Sequence, residues 1–423
     1  MILTSEKASL SGTVVIPGSK SHTIRALAIA TLAHGRSDIA GPLDSADTRA
    51  CVQTCRALGA EIDTGDVWTV KGVEGKVRSA NDVIDVANSG TTLYVALGMA
   101  ALADGGNVFT GDDQTRQRSA QPLLDALCDL GARAESTRGN GCAPILIHGP
   151  LRGGHASIAC PTSQYLTSLL LASPLALDDV HITVTELNEA PYVEMTLDWL
   201  NMQEITYSHE HMREFTIKGG QEYDAMSEHI RADFSSATFF LCGAAITGGD
   251  LTLRGLDMND SQGDKAVVHM LEKMGASIEI HPNAVRIRGG ALKGVDIDLN
   301  ATPDALPAMA ITGCFAEGVT RLLNVPQARI KETDRISVMH EVITALGGCA
   351  EELPDGLIVH GTGLKGGRAG GFGDHRVVMA CGVAGFNAET AVTVDTAQAM
   401  RITFPTFVDL MNQCGAAMVV QPA

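Results

Sequence analysis

Polar and apolar positions follow one rhythm along the chain. An amphipathic helical stretch ends on a glycine, and a short alternating stretch follows. CVQTCRALGAEID places Gly59 at that junction, LLDALCDLGARAES places Gly131, and MLEKMGASIEI places Gly275. VITALGGCAEE places Gly347, and FVDLMNQCGAAMVV places Gly415. A weaker copy, MTLDWLNMQEITYS, carries Met202 where the glycine is expected. The six junctions lie 68 to 73 residues apart. A glycine just past the last apolar helix position takes the left-handed conformation that closes a helix. The residues beyond it alternate, as in ASIEIHPNAVRIRG, which predicts a hairpin with one covered face. The pattern is therefore a unit of about 70 residues, helix plus short strands, repeated six times.

Six such units predict an α/β protein of two lobes with three units each. The length of 423 residues fits, at about 150 residues per domain. The polar stretch QEYDAMSEHIR, Gln221 to Arg231, marks the expected crossover. The expected division is an N-terminal lobe of residues 13–228 and a C-terminal lobe of residues 1–12 plus 229–423. Ligand sites favour domain interfaces, so the active site is expected in the cleft between the lobes.

Composition narrows the function. Hydrophobic residues make up 45% and charged residues 19%, which excludes a disordered chain. The net charge of −18 and the lack of a basic run with aromatics exclude nucleic acid as a partner. Apolar runs such as Tyr94 to Ala103 and Leu169 to Leu177 are core-helix length, so no membrane partner is expected. The start, MILTSEKASLSG, lacks the order of a signal peptide, which predicts a cytoplasmic protein. None of the ten cysteines forms a CxxC pair or a zinc-site spacing. They read as reduced structural thiols, with Cys51 and Cys55 on one helix face, and no metal is expected.

Against the acidic background, cations cluster at helix starts. PGSKSHTIR, Pro17 to Arg25, joins a strand to a helix that Ser19 or Ser21 can cap, with Lys20 and Arg25 beside the amides. It is not a P-loop, because Ser19 stands where Gly must precede Lys. ANSGTT, Ala87 to Thr92, forms a turn before an apolar helix, and GDDQTRQRS, Gly111 to Ser119, is a loop bearing Arg116 and Arg118. PTSQYLTSLLL places Thr162 and Ser163 at a helix start, a seat for an anion. RIKETDR, Arg329 to Arg335, is expected to be helical, with Lys331 and Arg335 on one face. Two such cations repel unless an anion lies between them. GDHR, Gly373 to Arg376, opens another apolar helix. GTGLKG, Gly361 to Gly366, matches GxGxxG, but GRAGGFGD after it opens no helix, so a dinucleotide site is rejected. Local cations on an acidic chain imply an anionic small-molecule ligand with several phosphate or carboxylate groups.

Taken together and in order, PGSKS, NSGTT, GDDQTRQRS, TSQYLTSLLL, PYVEMTL, TPDALPAMA, IKETDRI, GDHRVVMA and ITFPTF resemble the enolpyruvyl transferase family over nearly the whole chain. The likeness is greatest to its 5-enolpyruvylshikimate-3-phosphate synthase branch. The resemblance implies a two-lobed inside-out α/β barrel, six units with three per lobe, whose N-terminal strand joins the C-terminal lobe. It implies 3-phosphoshikimate 1-carboxyvinyltransferase activity in the shikimate pathway: enolpyruvyl transfer from phosphoenolpyruvate to the 5-hydroxyl of shikimate 3-phosphate, releasing phosphate. By motif position, phosphoenolpyruvate would be held by Lys20, Gly90, Arg118, Gln164, Arg335, Arg376 and Arg401. Shikimate 3-phosphate would be held by Ser21, Arg25, Thr162, Ser163, Gln164, Tyr192, Asp304, Gln327 and Lys331. Asp304 would orient or deprotonate the attacking hydroxyl. Glu332 would protonate the methylene carbon and later remove the proton, with Lys20 and His375 assisting. The resemblance implies no cofactor and a monomer whose partners are its two small-molecule substrates.

The chain departs from the family in places. Tyr94 and Val95 stand where Arg-Pro or Arg-Leu is usual, Ser119 follows Arg118 where Pro is usual, and Arg401 replaces Lys. Asn188-Glu189-Ala190 precedes PYVEMTL where a phosphate-binding Ser is expected. A carboxylate facing a phosphate repels it. The alternative reading is therefore a divergent enolpyruvyl transferase with another cyclic alcohol acceptor. Two readings from other classes are a silent binding protein on this scaffold and an ATP-using member of the RNA-terminal phosphate cyclase type. Asp304, Glu332 and Lys20 count against the first. The acidic charge, the failed P-loop and KETDR count against the second.

Overall fold

The computed structural model describes residues 1–422. Among them, strands form six four-stranded sheets of one design. In each, a parallel pair is extended by two antiparallel strands. Gly154–Cys160, for example, runs parallel to Val180–Leu187. The latter pairs with Glu214–Ile217, which pairs in turn with Tyr207–Glu210.

Twelve α-helices alternate with these strands among the described residues. They are α1 (Lys20–Leu32), α2 (Ala46–Ala57), α3 (Gly90–Ala100), α4 (Gln121–Asp129), α5 (Ser163–Ala172) and α6 (Ala190–Met202), then α7 (Phe234–Thr247), α8 (Ala266–Met274), α9 (Leu306–Cys314), α10 (Arg335–Ala345), α11 (His375–Ala384) and α12 (Phe407–Gln413).

The repeat pattern is visible at the helix ends. Gly59, Gly131, Gly275, Gly347 and Gly415 all have positive φ, between 76° and 115°. The amide after each bonds back to the carbonyl four residues before that glycine, as in Ala60 to Cys55 at 3.1 Å and Ala276 to Leu271 at 3.0 Å. This is the Schellman closure, which satisfies a carbonyl that the helix leaves open. The sixth unit makes the same closure, Ile205 to Leu200 at 3.0 Å. Its left-handed residue is Glu204, φ 53°, so Met202 does not hold the glycine position. Met202 is the last residue of α6, and the closing turn lies two residues further on.

The described residues divide into two compact units, Gly18–Ile230 and Met1–Pro17 with the chain from Arg231 onward. The strand Ser11–Val15 runs parallel to Asp250–Arg254, and Ile2–Glu6 pairs with Val392–Val394 and Ala417–Gln421. These pairings carry the N-terminal segment into the second unit as far as Pro17, so residues 12 and 13 both lie within one strand.

Each unit keeps its most apolar helices inside. In the first, every residue of α3 is buried, and α1 and α5 are nearly so. In the second, α9 and α11 are wholly buried and α7 nearly so. A helix apolar all round has no solvent face to offer. The remaining helices bury one side only, as α4 does through Leu123, Leu124, Ala126 and Leu127. The sheets lie outside them with one face covered. Val285 and Ile287 enter the core, while Arg286 and Arg288 face outward and pair with Asp250 and Glu279. Each unit is thus an inside-out α/β barrel.

The Gly361–Gly366 segment is a loop leading into the strand Gly367–Ala369, not into a helix. The ten cysteines are free, and Cys51 and Cys55 face each other on α2 with sulfurs 4.0 Å apart. No helix among the described residues is long and apolar enough to cross a membrane.

Candidate active site

In the unit of residues 18–230, the candidate residues sit at helix starts. Ser19 caps α1, and Lys20 is its first residue. The Lys20 ammonium donates to Asp47 Oδ2 at 3.0 Å. Arg25 lies one turn on and is buried. Its guanidinium donates to Thr196 Oγ1, Thr167 Oγ1, the Tyr192 carbonyl and the Ser21 carbonyl at 2.8–3.1 Å. It therefore ties α1 to α5 and α6. Burial pulls Arg25 down to about 10, which leaves it charged at neutral pH.

Ser89 caps α3, and Gly90 opens it. A Cβ on Gly90 would lie 2.6 Å from Arg118 Nη1, so the absent side chain makes room for that guanidinium. Gln164 Nε2 donates to Thr91 Oγ1 at 2.9 Å, which links α5 to α3. Tyr94 and Tyr165 meet edge to face, centroids 5.0 Å apart, and both hydroxyls donate to the Ser119 carbonyl. Tyr94 is thus a buried residue that fixes the loop bearing Arg118.

Thr162 and Ser163 begin α5, as expected. Their donors converge on the chain's own Glu189. Glu189 Oε2 accepts from Thr162 Oγ1 at 3.2 Å, Ser163 N at 3.2 Å and Ser163 Oγ at 2.8 Å.

The other unit holds a dense ion cluster around Arg335, whose side chain is 0% exposed. Its guanidinium reaches Asp374 at 2.8 and 3.2 Å, Asp304 at 2.8 Å and Glu332 at 2.5 Å. Arg376 pairs with the other oxygen of Asp304 at 2.8 Å and donates to Ser235 at 3.2 Å. Burial acts to raise the Asp304 carboxyl, but Arg376, Arg335 and Lys331 hold it well below its ordinary range. Burial also acts to raise Asp374, and Arg335 holds it down. Burial opposes the Arg335 charge, yet Asp374, Glu332 and Asp304 raise that group further. His375, the first residue of α11, is buried, and its pKa is lowered to about 3, chiefly by burial. Gln327 is buried and donates to the Asn300 carbonyl at 2.8 Å.

The expected helix through RIKETDR is absent. A 3-10 turn covers Pro326–Ile330, and α10 starts only at Arg335. Asp334 caps α10 by accepting from Ser337 N at 3.1 Å, so the chain before it cannot continue the helix. Lys331 and Arg335 therefore do not share a helical face. Carboxylates of the chain itself answer the charge of Arg335. Arg401 lies exposed on a separate 3-10 turn, without an ion pair among the described residues.

Sequence reading missed Asp47, Asp374 and Ser235. Asp374 had a signal, since an Asp before an apolar helix start is a cap, and it accepts from Arg376 N at 2.9 Å. Asp47 and Ser235 had none, because their partners lie 27 and 141 residues away.

A family model described as EPSP synthase (3-phosphoshikimate 1-carboxyvinyltransferase) matches residues 4–411. The chain belongs to the EPSP synthase family. Among relatives named 3-phosphoshikimate 1-carboxyvinyltransferase, that of Acetivibrio thermocellus is 53% identical over 417 residues, covering 98% of this chain and 99% of the relative. That of Ruminiclostridium cellulolyticum is 50% identical over 416 residues, with 98% and 99% covered. A solved EPSP synthase of Acinetobacter baumannii superposes with a TM-score of 0.83 at 26% identity, covering 100% of both chains. The mixed α/β architecture with six four-stranded sheets is thus the EPSP synthase fold.

Proposed function

We infer that this chain transfers the enolpyruvyl group of phosphoenolpyruvate to the 5-hydroxyl of shikimate 3-phosphate and releases phosphate. The observation that carries the mechanism is the cluster in which Arg335 and Arg376 hold Asp304 and Glu332. Phosphoenolpyruvate brings a carboxylate and a phosphate. Assigned to Lys20, Gly90, Arg118, Gln164, Arg335, Arg376 and Arg401, they compete with the resident carboxylates for the same guanidinium groups. As the ligand's anions take over, Asp304 and Glu332 lose counter-ion stabilisation and their proton affinity rises. That change fits Glu332 to carry a proton and Asp304 to accept one.

The chemistry then balances in two steps. Glu332 gives its proton to the methylene carbon of phosphoenolpyruvate, and the adjacent carbon gains cationic character. The acceptor oxygen bonds to that carbon while Asp304 takes the hydroxyl proton. In the second step Glu332 recovers a proton from the new methyl group. The electrons of that C–H bond form the double bond, the bond to phosphate oxygen breaks, and the departing phosphate takes the proton held on Asp304, which returns both carboxyl groups to their starting forms. His375 is neutral at pH 7, which suits a hydrogen-bonding assistant rather than a standing acid. Ser21, Arg25, Thr162, Ser163, Tyr192, Gln327 and Lys331 are assigned to the acceptor. Arg25 serves partly by holding α1, α5 and α6 in register. Action as a cytoplasmic monomer without metal or cofactor completes the proposal.

The test is phosphate release from phosphoenolpyruvate, with and without shikimate 3-phosphate, in the absence of ATP and metal. Release only with that acceptor is the expected result, and release with plain shikimate instead overturns the acceptor assignment. Asp304→Ala and Glu332→Ala are each expected to lower turnover by about 10² or more. A near-wild-type rate in either removes that residue's role.

A further inference from the structure

We propose that Glu189 is a built-in competitor for the acceptor phosphate, seated on the donors that the phosphate must take over. The proposal rests on the assignment of Thr162 and Ser163 to shikimate 3-phosphate.

The seat is made by two neighbouring strand ends. Gly154–Cys160 and Val180–Leu187 run parallel, and each leads to a helix start, α5 after the first and α6 after the second. Asn188 N donates to the Cys160 carbonyl at 3.1 Å, which locks the two ends together. Glu189 follows with φ 60° and ψ 38°, a left-handed conformation uncommon outside Gly, Asn and Asp. Its side chain makes no capping bond to α6, the helix it precedes. It reaches the start of α5 instead. One oxygen there collects two hydroxyls and a backbone amide, and the residue is 2% exposed.

These donors suit any oxyanion, since they lie at the positive end of a helix and include two rotatable hydroxyls. A carboxylate and a phosphate cannot both use them. Two anions sharing one set of donors repel, and neither finds full hydrogen bonding. Binding of the acceptor therefore exchanges one anion for the other. Its affinity is the difference between the two for the same seat, so Glu189 sets how tightly a phosphorylated acceptor is held. Removing Glu189 has two opposed consequences. The ligand-free protein loses charge-assisted bonds and becomes less stable. The acceptor meets no competitor and binds more tightly. Simple structural damage would lower both stability and affinity.

The experiment compares the full wild-type chain with Glu189→Gln, which keeps the size and removes the charge, and with Glu189→Ser. Shikimate 3-phosphate binding is measured by titration calorimetry without phosphoenolpyruvate, and Tm is measured with and without it. The expected result is a Kd about tenfold lower in Glu189→Ser and an intermediate fall in Glu189→Gln. The ligand-free Tm should fall in both variants, and the shift induced by shikimate 3-phosphate should grow. An unchanged or higher Kd in both variants overturns the proposal. Thr162→Ala and Ser163→Ala in the wild-type background separate the two layers. If they leave Kd unchanged, the phosphate assignment itself fails. If they weaken binding while the Glu189 variants do not tighten it, only the competitor role fails.

Discussion

Replacing Arg335 by Met tests the ion cluster most directly. Met has similar reach and leaves little cavity, so the change is chiefly one of charge. The wild-type guanidinium is fully buried and balances Asp374, Asp304 and Glu332 at 2.5–3.2 Å. Removing one partner of a buried ion pair costs about 3–5 kcal/mol, because the remaining charge is left uncompensated. For a unit of this size each kcal/mol moves Tm by about 2–4 °C, so a fall of roughly 6–20 °C is expected at neutral pH. The pH dependence gives a second measure. In the wild type, Asp304 and Asp374 are held below their unfolded values. They contribute stability above about pH 4, and that stability is lost as pH falls through the folded values. Without the guanidinium, the burial of Asp374 raises it instead, and its ionisation then costs stability at neutral pH. The deficit of Arg335→Met should therefore be greatest at pH 7–8 and smaller at pH 5. Arg335→Lys should recover part of it, because an ammonium restores charge but not the planar fork that serves three carboxylates. Calorimetric Tm values for the three proteins from pH 5 to pH 8 decide the matter. A fall of under 2 °C that stays flat with pH would refute the reasoning.

Two further outcomes concern the scaffold. Glu204→Gly places glycine at the one closing turn of the six that lacks it, and removing left-handed strain should raise stability by about 0.5–1 kcal/mol, read as a higher urea midpoint. Gly98→Ala should destabilise by about 1–3 kcal/mol, because its Cβ would sit 2.6 Å from Ser168 Oγ and 2.7 Å from the Ser168 carbonyl oxygen where α3 crosses α5. An unchanged midpoint for Gly98→Ala would mean the two helices separate there without cost.

Local features are legible in the chain's linear pattern. Each closing glycine is set by bonds within about five residues, as in Ala60 to Cys55, so its pattern stands in the sequence. Where a non-glycine closes the turn, the pattern misplaces it by two residues, at Met202 rather than Glu204. Helix caps follow the same rule at Ser19, Ser89 and Asp374. RIKETDR misleads because charge spacing cannot show that Asp334 starts a new helix. Tyr94, unexplained as a departure from its family, is a core residue that shares an acceptor with Tyr165.

By itself, then, the sequence determined the six-fold helix-and-strand unit, the helix starts that carry cations, and the enolpyruvyl transferase family, since each is written in residues near one another or in ordered motifs. The tertiary structure alone decided the counter-charges. Arg335 finds Asp374 39 residues away and Asp304 31 residues away, and Ser163 finds Glu189 26 residues away. Charge interactions act through space and depend on burial, so a linear pattern of cations shows that an anion is wanted. Only the packed fold shows that the chain itself supplies one.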